Sequence, residues 1–183
     1  MKISKTYIDD LIIIEPSVYK DSRGFFYESF KESFFLSNIS KVKFTQENIS
    51  KSKKGVLRGL HFQYPPFEQS KLINVIKGEV LDVAVDLRKG SKTFGNFYSI
   101  TLSELNKKQL FIPKGFAHGF YVKSKYAIFS YKVDNEYNPK YESGINFMCN
   151  QLSINWEIDG DIIVSQKDKN LPFFDKSTNY GKK

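Results

Sequence analysis

Between residues 71 and 133 the chain alternates apolar and polar side chains in short runs closed by turn residues, and no other feature narrows its possible folds as much. In Glu79 to Leu87 the residues Leu81, Val83, Val85 and Leu87 fall on one face and Val80, Asp82, Ala84 and Asp86 on the other, the two-residue period of a strand. Lys71 to Ile76, Asn96 to Leu102, Gln109 to Ile112, Gly119 to Val122 and Ala127 to Val133 continue the series. Turns such as Lys77-Gly78, Arg88-Lys89-Gly90-Ser91 and Pro113-Lys114-Gly115 separate them. Upstream, residues 8–15 read as an opening strand stopped by Pro16, and Lys43 to Asn48 as another strand. Ser50 to Lys54 reads as a polar loop and Lys31 to Ser37 as the one early helix. Strands recurring about every 8–12 residues predict an all-β sandwich or barrel with a few short peripheral helices. The 17 Phe and 11 Tyr suit that choice, because aromatic side chains favour strands.

No linker, repeat or low-complexity stretch divides the 183 residues, so a single domain over 1–183 is expected, with Thr178 to Lys183 as a frayed tail. The opening MKISKTYIDDL has no long apolar core before its acidic pair and does not read as a signal peptide. No apolar run approaches the roughly 18 residues that a membrane helix needs. A lone Cys149 leaves neither an internal disulfide nor a cysteine-based zinc site. A cytoplasmic protein without a membrane partner is expected. The net charge of +8 favours anionic partners. Its lysines are spread along the chain rather than gathered in a block, which points to small phosphorylated ligands and away from nucleic acid.

The stretch Lys54-Gly55-Val56-Leu57-Arg58-Gly59-Leu60-His61-Phe62-Gln63 sets an arginine and one of two histidines on an apolar strand. In an unbroken strand Arg58 and His61 would point to opposite faces. Glycine inside a strand often marks a bulge, which shifts the phase by one residue, so Gly59 is expected to turn both side chains into one cavity. Arg58, His61, Gln63, Lys71, Asp82, His118 and Tyr131 could converge there. Polar groups facing a barrel interior need a reason, because burying them unpaired is costly. Singly, each has a plain structural explanation, such as a core tyrosine with a partnered hydroxyl or an aspartate facing water.

Pro113-Lys114-Gly115-Phe116-Ala117-His118-Gly119 resembles the second motif of the cupins, small double-sheet barrels with a central ligand cavity. The cupin first motif usually carries His-x-His, where this chain has His61-Phe62-Gln63. Two histidines in all cannot supply a three-histidine metal site. A site of two histidines and one carboxylate stays open in principle, but the expectation is that no metal is held.

Longer motifs are more specific. Asp21-Ser22-Arg23-Gly24-Phe25-Phe26-Tyr27-Glu28, Gln46-Glu47-Asn48-Ile49-Ser50 and Lys54 through Gln63 resemble successive signatures of the dTDP-4-dehydrorhamnose 3,5-epimerase family. So do Gln69-Ser70-Lys71-Leu72, Asp82 through Arg88, Ile112 through Phe120, Ser130-Tyr131-Lys132 and Ser165-Gln166-Lys167-Asp168. They occur in the family's order over roughly residues 8 to 172. The resemblance implies a cupin-like jelly roll and a cofactor-independent isomerase. Its substrate would be a dTDP-linked 4-keto-6-deoxysugar inverted at C3 and C5.

A proton beside the C4 ketone has a pKa on the order of 20, so the chemistry needs a base, an enolate stabiliser and an acid on the opposite sugar face. The resemblance implies His61 as base, Asp168 as the partner that holds its tautomer, Lys71 at the enolate oxygen and Tyr131 as the acid. A phenol placed near a lysine can have its pKa lowered toward that role. Asp82 is expected to orient Lys71 or His61. The nucleotide pattern falls on Arg23, Glu28, Gln46, Asn48, Arg58, His118, Glu142 and Lys167, with Tyr137 at the position that stacks on thymine. Arg23 and Arg58 suit a diphosphate, which arginine grips bidentately. Residues near Arg23 and Glu28 are implied to reach the other subunit's site, hence a homodimer.

The chain departs from the family pattern at Met148-Cys149-Asn150, at Trp156-Glu157, and at Glu68 and Ser70 beside Gln69 and Lys71. None removes a catalytic group. They leave open a relative that inverts only C3 or only C5, or that uses a GDP-linked sugar or a heptose. A metal-dependent cupin enzyme and a non-catalytic sugar-nucleotide binder are the readings from other classes.

Overall fold

The computed structural model describes residues 1–182. Its strands are β1 (Lys2–Lys5), β2 (Ile12–Glu15), β3 (Tyr19–Asp21), β4 (Gly24–Phe26), β5 (Gln46–Lys53), β6 (Leu57–Gln63), β7 (Lys71–Lys77), β8 (Glu79–Asp86), β9 (Phe97–Ser103), β10 (Gln109–Ile112), β11 (Phe116–Val122), β12 (Tyr126–Val133) and β13 (Glu142–Gly144). Two short helices, α1 (Glu32–Asn38) and α2 (Gln166–Lys169), lie outside the strands. One antiparallel sheet runs β1-β2-β10-β7-β12-β5, a second runs β13-β6-β11-β8-β9, and β3 and β4 form a separate hairpin. Ile73 and Val75 of the first sheet pack with Val80, Ala84, Phe116, Phe120 and Val122 of the second. The two sheets therefore enclose one interior, a cupin-like jelly roll.

The alternation along β8 resolves into two buried faces. Leu81, Val83 and Val85 pack outward under a cover that includes Ile145, Phe147, Trp156 and Phe174. Val80 and Ala84 point between the sheets, and Asp82 shares their parity with no exposed surface. The expectation that Asp82 could face water therefore fails: both faces of its strand are covered. On the far side of the six-stranded sheet, α1 presses Phe35 onto Ile12, Ile14, Leu72 and Phe111. Burial of that ring contributes roughly 2–3 kcal/mol.

Several boundaries differ from the expected ones. Of the opening strand expected over 8–15 only Ile12–Glu15, β2, is strand, and it pairs with β1, which precedes the expected span. Of the loop expected over Ser50 to Lys54, residues 50–53 are instead the second half of β5, which pairs along its length with β12, and only Lys54 lies in a turn. β5 is an outer strand of its sheet and mostly polar, so apolar periodicity gives no signal for it. The tail is tied down at Tyr180, which stacks on Phe174 at 5.6 Å and meets Phe62 edge-on at 5.8 Å. Among the described residues no helix is long and apolar enough to cross a membrane.

The bulge expected at Gly59 is present. His61 lies opposite His118 and Arg58 opposite Phe120, so three steps along β6 match two along β11. Leu57, Leu60 and Phe62 go to the outer core, while Arg58 and His61 both line the interior cavity. Gly59 has φ +122°, and a Cβ there would lie 2.5 Å from Gly119 Cα and 2.8 Å from the His118 carbonyl oxygen. Gly59→Ala is expected to cost about 2 kcal/mol or more, seen as a Tm lower by about 4–8 °C in thermal unfolding.

Candidate active site

A cavity of about 570 Å³ opens between the sheets, lined by Arg58 and His61 of β6, Lys71 of β7, His118 of β11, Tyr131 of β12, Asn48 of β5, and Lys167 and Asp168 of α2. Strand parity selects these side chains: Lys71, Ile73 and Val75 point inward along β7, as do Phe129 and Tyr131 along β12.

Ser165 caps α2, its Oγ accepting the Asp168 N–H at 3.0 Å. This Ser-x-x-Asp cap sets the carboxylate at a helix start, where negative charge is favoured. Asp168 Oδ1 accepts from His61 Nε2 at 2.8 Å and Oδ2 from the Gly59 N–H at 3.1 Å. Burial pushes the Asp168 carboxyl up, but the His61 ring and the Gly59 N–H outweigh it and hold it below the usual range. An ionised carboxylate only accepts, so Nε2 carries the proton and Nδ1 keeps its lone pair. No hydrogen bond to a described residue engages Nδ1. His61 offers the cavity a base.

Lys71 is 9% exposed, and its Nζ lies 6.0 Å from the centre of the Tyr131 ring. Burial pulls its pKa down to about 8, with Asp82 and Glu142 acting in the opposite direction. Tyr131 moves the other way from the sequence expectation. Burial raises its pKa, and Arg58 and Asn48 only partly offset that. The lowering influence comes from Arg58 and Asn48 rather than from a lysine, burial outweighs it, and the phenol keeps its proton near neutral pH. It is suited to giving a proton rather than taking one.

His118 pairs with Asp82, Nε2 to Oδ2 at 2.9 Å. Burial drives the His118 pKa down, Asp82 opposes this, and Lys71 and His61 add to the decrease. Asp82 therefore orients His118 directly, and among the described residues it makes no hydrogen bond to Lys71 or His61.

At the rim Gln46 donates to Asn48 Oδ1 at 2.8 Å, and the Tyr137 N–H reaches Gln46 Oε1 at 3.4 Å. The Tyr137 hydroxyl donates to Glu142 at 2.6 Å, and Lys167 makes a short contact to the same carboxylate. That bond to Glu142 pushes the Tyr137 phenol up to about 12. Arg58 is steadied by Ser52 Oγ at 3.1 Å. Arg23 and Glu28 do not join the group. Arg23 is bound to Asp21 on the exposed β3–β4 hairpin, and Glu28 lies 3.7 Å from Lys31. The sequence reading assigned no role to Ser52 or Ser165, although Ser165 was legible as the first residue of a helix cap. Among the described residues no three of His, Cys, Asp and Glu are grouped to hold a metal ion.

A cavity that faces a partnered imidazole, a buried ammonium and a protonated phenol toward one another suits proton removal and return beside a carbonyl. Known proteins agree with that chemistry. A family model described as dTDP-4-dehydrorhamnose 3,5-epimerase matches residues 5–176. The dTDP-4-dehydrorhamnose 3,5-epimerase of Methanothermobacter thermautotrophicus is 49% identical over 168 residues, 91% of this chain and 90% of that one. The dTDP-6-deoxy-D-glucose-3,5-epimerase of Legionella pneumophila, solved in complex with dTDP-4-keto-L-rhamnose, superposes with a TM-score of 0.92 at 48% identity, covering 94% of this chain and 92% of the other. The dTDP-4-dehydrorhamnose 3,5-epimerase of Elizabethkingia anophelis gives a TM-score of 0.92 at 50% identity, covering 98% and 99%. With the family's sequence pattern along nearly its whole length and the family's fold around its cavity, this chain belongs to the dTDP-4-dehydrorhamnose 3,5-epimerase family.

Proposed function

We propose that the chain inverts C3 and C5 of dTDP-4-dehydro-6-deoxy-D-glucose, forming dTDP-4-dehydro-L-rhamnose through enolate intermediates. The observation that carries this reading is the placement of base and acid on different sheets, His61 on β6 and Tyr131 on β12, with the cavity between them. Inversion at a carbon needs removal from one face and return to the other, and two walls supply that without turning the sugar over. His61 Nδ1 takes the proton next to the ketone, and Asp168 stabilises the imidazolium that results. The Lys71 ammonium meets the charge growing on the C4 oxygen. Tyr131 returns a proton from the other side, and its retained proton supports that role.

Arg58, Asn48 and Lys167 at the cavity, with Gln46, Tyr137 and Glu142 on its rim, are the proposed nucleotide contacts. The diphosphate is assigned to Arg58, and the base to Tyr137, which is 52% exposed at the mouth. Arg23 and Glu28 lie outside their own chain's cavity, which supports their serving a second copy in a homodimer. The lone buried Cys149 suits a reducing compartment, and the proposed location is the cytoplasm.

Incubation with the dTDP 4-keto sugar in heavy water, followed by NMR, is expected to place deuterium at both C3 and C5. Label at one carbon only would replace the double epimerase with a single one. His61→Ala is expected to lose roughly 10²-fold or more in kcat with dTDP still bound. Tyr131→Phe is expected to exchange deuterium without inversion, because only the His61 wall can still return it.

The pH dependence follows from Lys71. Its ammonium persists below about pH 8 and is lost above it, so kcat/KM should fall on the alkaline side from about there. Stability moves in the opposite sense. Between about 8 and the usual 10.5 the unfolded chain binds the proton that the folded chain has released, so this group favours folding as pH rises. Opposite slopes in a rate profile and a melting profile would verify the assignment.

The dimer is tested by mass in solution. Arg23→Ala combined in one mixed dimer with His61→Ala is expected to leave one intact site, or none, depending on which subunits carry the changes. Independence from that arrangement would remove Arg23 from the partner's site.

A further inference from the structure

Among the described residues two buried side-chain polar atoms have no hydrogen-bond partner, and one of them is Asp82 Oδ1. Asp82 is fully enclosed. Its other oxygen, Oδ2, accepts from His118. A carboxylate oxygen left unpaired inside a barrel opposes folding. By contrast, Asp168 uses both oxygens, on His61 and on the Gly59 N–H. The two aspartates are built into matching pairs, since His61 and His118 lie opposite each other on neighbouring strands. What separates them is the free oxygen. Lys71, on β7 of the opposite sheet, points into the same interior and lines the cavity beside His118, the residue that Asp82 holds.

We propose that Asp82 is a positioning residue that acts through charge: from across the barrel it keeps the Lys71 ammonium protonated inside the cavity, while its second oxygen holds His118 in a single tautomer. The proposal rests on the reading of Lys71 as enolate stabiliser. Burial works against an ammonium at Lys71, and Asp82 is the largest influence opposing it, ahead of Glu142. Lys71 makes no ion pair within 4 Å of its nitrogen among the described residues, so its charge depends on partners at longer range. That distance has a use. A carboxylate in direct contact would hold the ammonium away from the substrate and neutralise it, whereas one across the interior favours the charge and leaves the N–H groups free. The other titratable and charged groups around Lys71 are Arg58 and His61 from β6, His118 from β11, Tyr131 from β12, Lys167 and Asp168 from α2, Glu142 from β13, and Glu68, which lines a small void with it.

With Nε2 given to Asp82, His118 turns Nδ1 toward the cavity as an acceptor. Nδ1 has no hydrogen bond to the described residues, and it is not among the sealed, unpartnered atoms. It suits a sugar hydroxyl rather than the enolate oxygen, which leaves Lys71 as the cation at the C4 position.

The test uses the full chain with 13C-labelled lysine and aspartate, the Lys71 signal being assigned by its loss in Lys71→Arg. In Asp82→Asn the amide oxygen can still accept from His118, so the shape is kept and only the charge is removed. The Lys71 midpoint is expected to fall by about one pH unit or more, the alkaline limb of kcat/KM to move with it, and the Kd for dTDP to change less than about twofold. Should the amide variant fail to fold, Asp82→Ser removes the same charge. The unaltered chain provides a further reading: the Asp82 carboxyl carbon is expected to shift as Lys71 titrates. An unmoved Lys71 midpoint in a folded variant, or an Asp82 signal indifferent to Lys71, would overturn the proposal. Normal turnover in Lys71→Met would instead defeat the enolate assignment, and it would leave the titration result standing.

Discussion

The active site depends on a backbone contact between Gly59 and Gly119. At this point β6 and β11 approach so closely that a Cβ on Gly119 would meet the Arg58 carbonyl at 2.7 Å, and one on Gly59 would meet Gly119 itself. The extra residue accommodated there changes the phase of β6, so Arg58 and His61 share the inner face while Leu57 and Leu60 keep the outer core intact. The same residue turns its N–H to Asp168, and Asp168 holds the His61 ring. One local geometry thus aims His61, Arg58 and Asp168, the residues proposed as base, diphosphate anchor and tautomer partner. Substituting any of the three side chains would leave this framework in place, whereas adding a methyl group to the backbone would not.

Around that framework the barrel holds an unusual amount of polarity. Lys71, Asp82, His118 and Asp168 are all buried, and each would be less costly as an apolar side chain. The arrangement keeps them in different states. Asp168 is held ionised by donors, Lys71 is drawn toward neutrality by burial, His118 is kept neutral, and Tyr131 retains its proton. Such divergence within one cavity is what proton transfer requires, since identical groups in identical surroundings would not separate into donor and acceptor.

Much of this was legible in the chain. The alternation of β8 showed that Asp82 shares a face with Val80 and Ala84, and glycine between Arg58 and His61 announced the bulge. The ordered motifs named His61, Lys71, Tyr131 and Asp168, and the structure brings all four to one cavity. What escaped depends on distance through space. Alternation says which way Asp82 points, but not that its nearest donor is His118 on the adjacent strand. Proximity to lysine suggested a lowered phenol pKa, whereas enclosure of Tyr131 by both sheets decides the sign. β5 was cut short because an outer strand with polar residues lacks an apolar period, and the tail looked free because Tyr180 finds its partners Phe62, Phe94 and Phe174 far back in the sequence or beyond a turn. Local pattern sets orientation; partners and dielectric come only with the fold.

Under the proposed roles, placing His61 and Tyr131 on separate sheets has a stereochemical consequence. In a gluco-configured ring the hydrogens on C3 and C5 are both axial and lie on the same side. One basic wall can therefore reach either carbon after a small pivot of the sugar, and one acidic wall can refill either from behind. After both inversions the two new hydrogens face the tyrosine wall, so the reverse reaction passes through the same intermediates with the duties of the two sheets exchanged. The direction of net turnover is then set by the relative free energies of the two sugars and by whatever consumes the product, while the barrel contributes a symmetric passage between them.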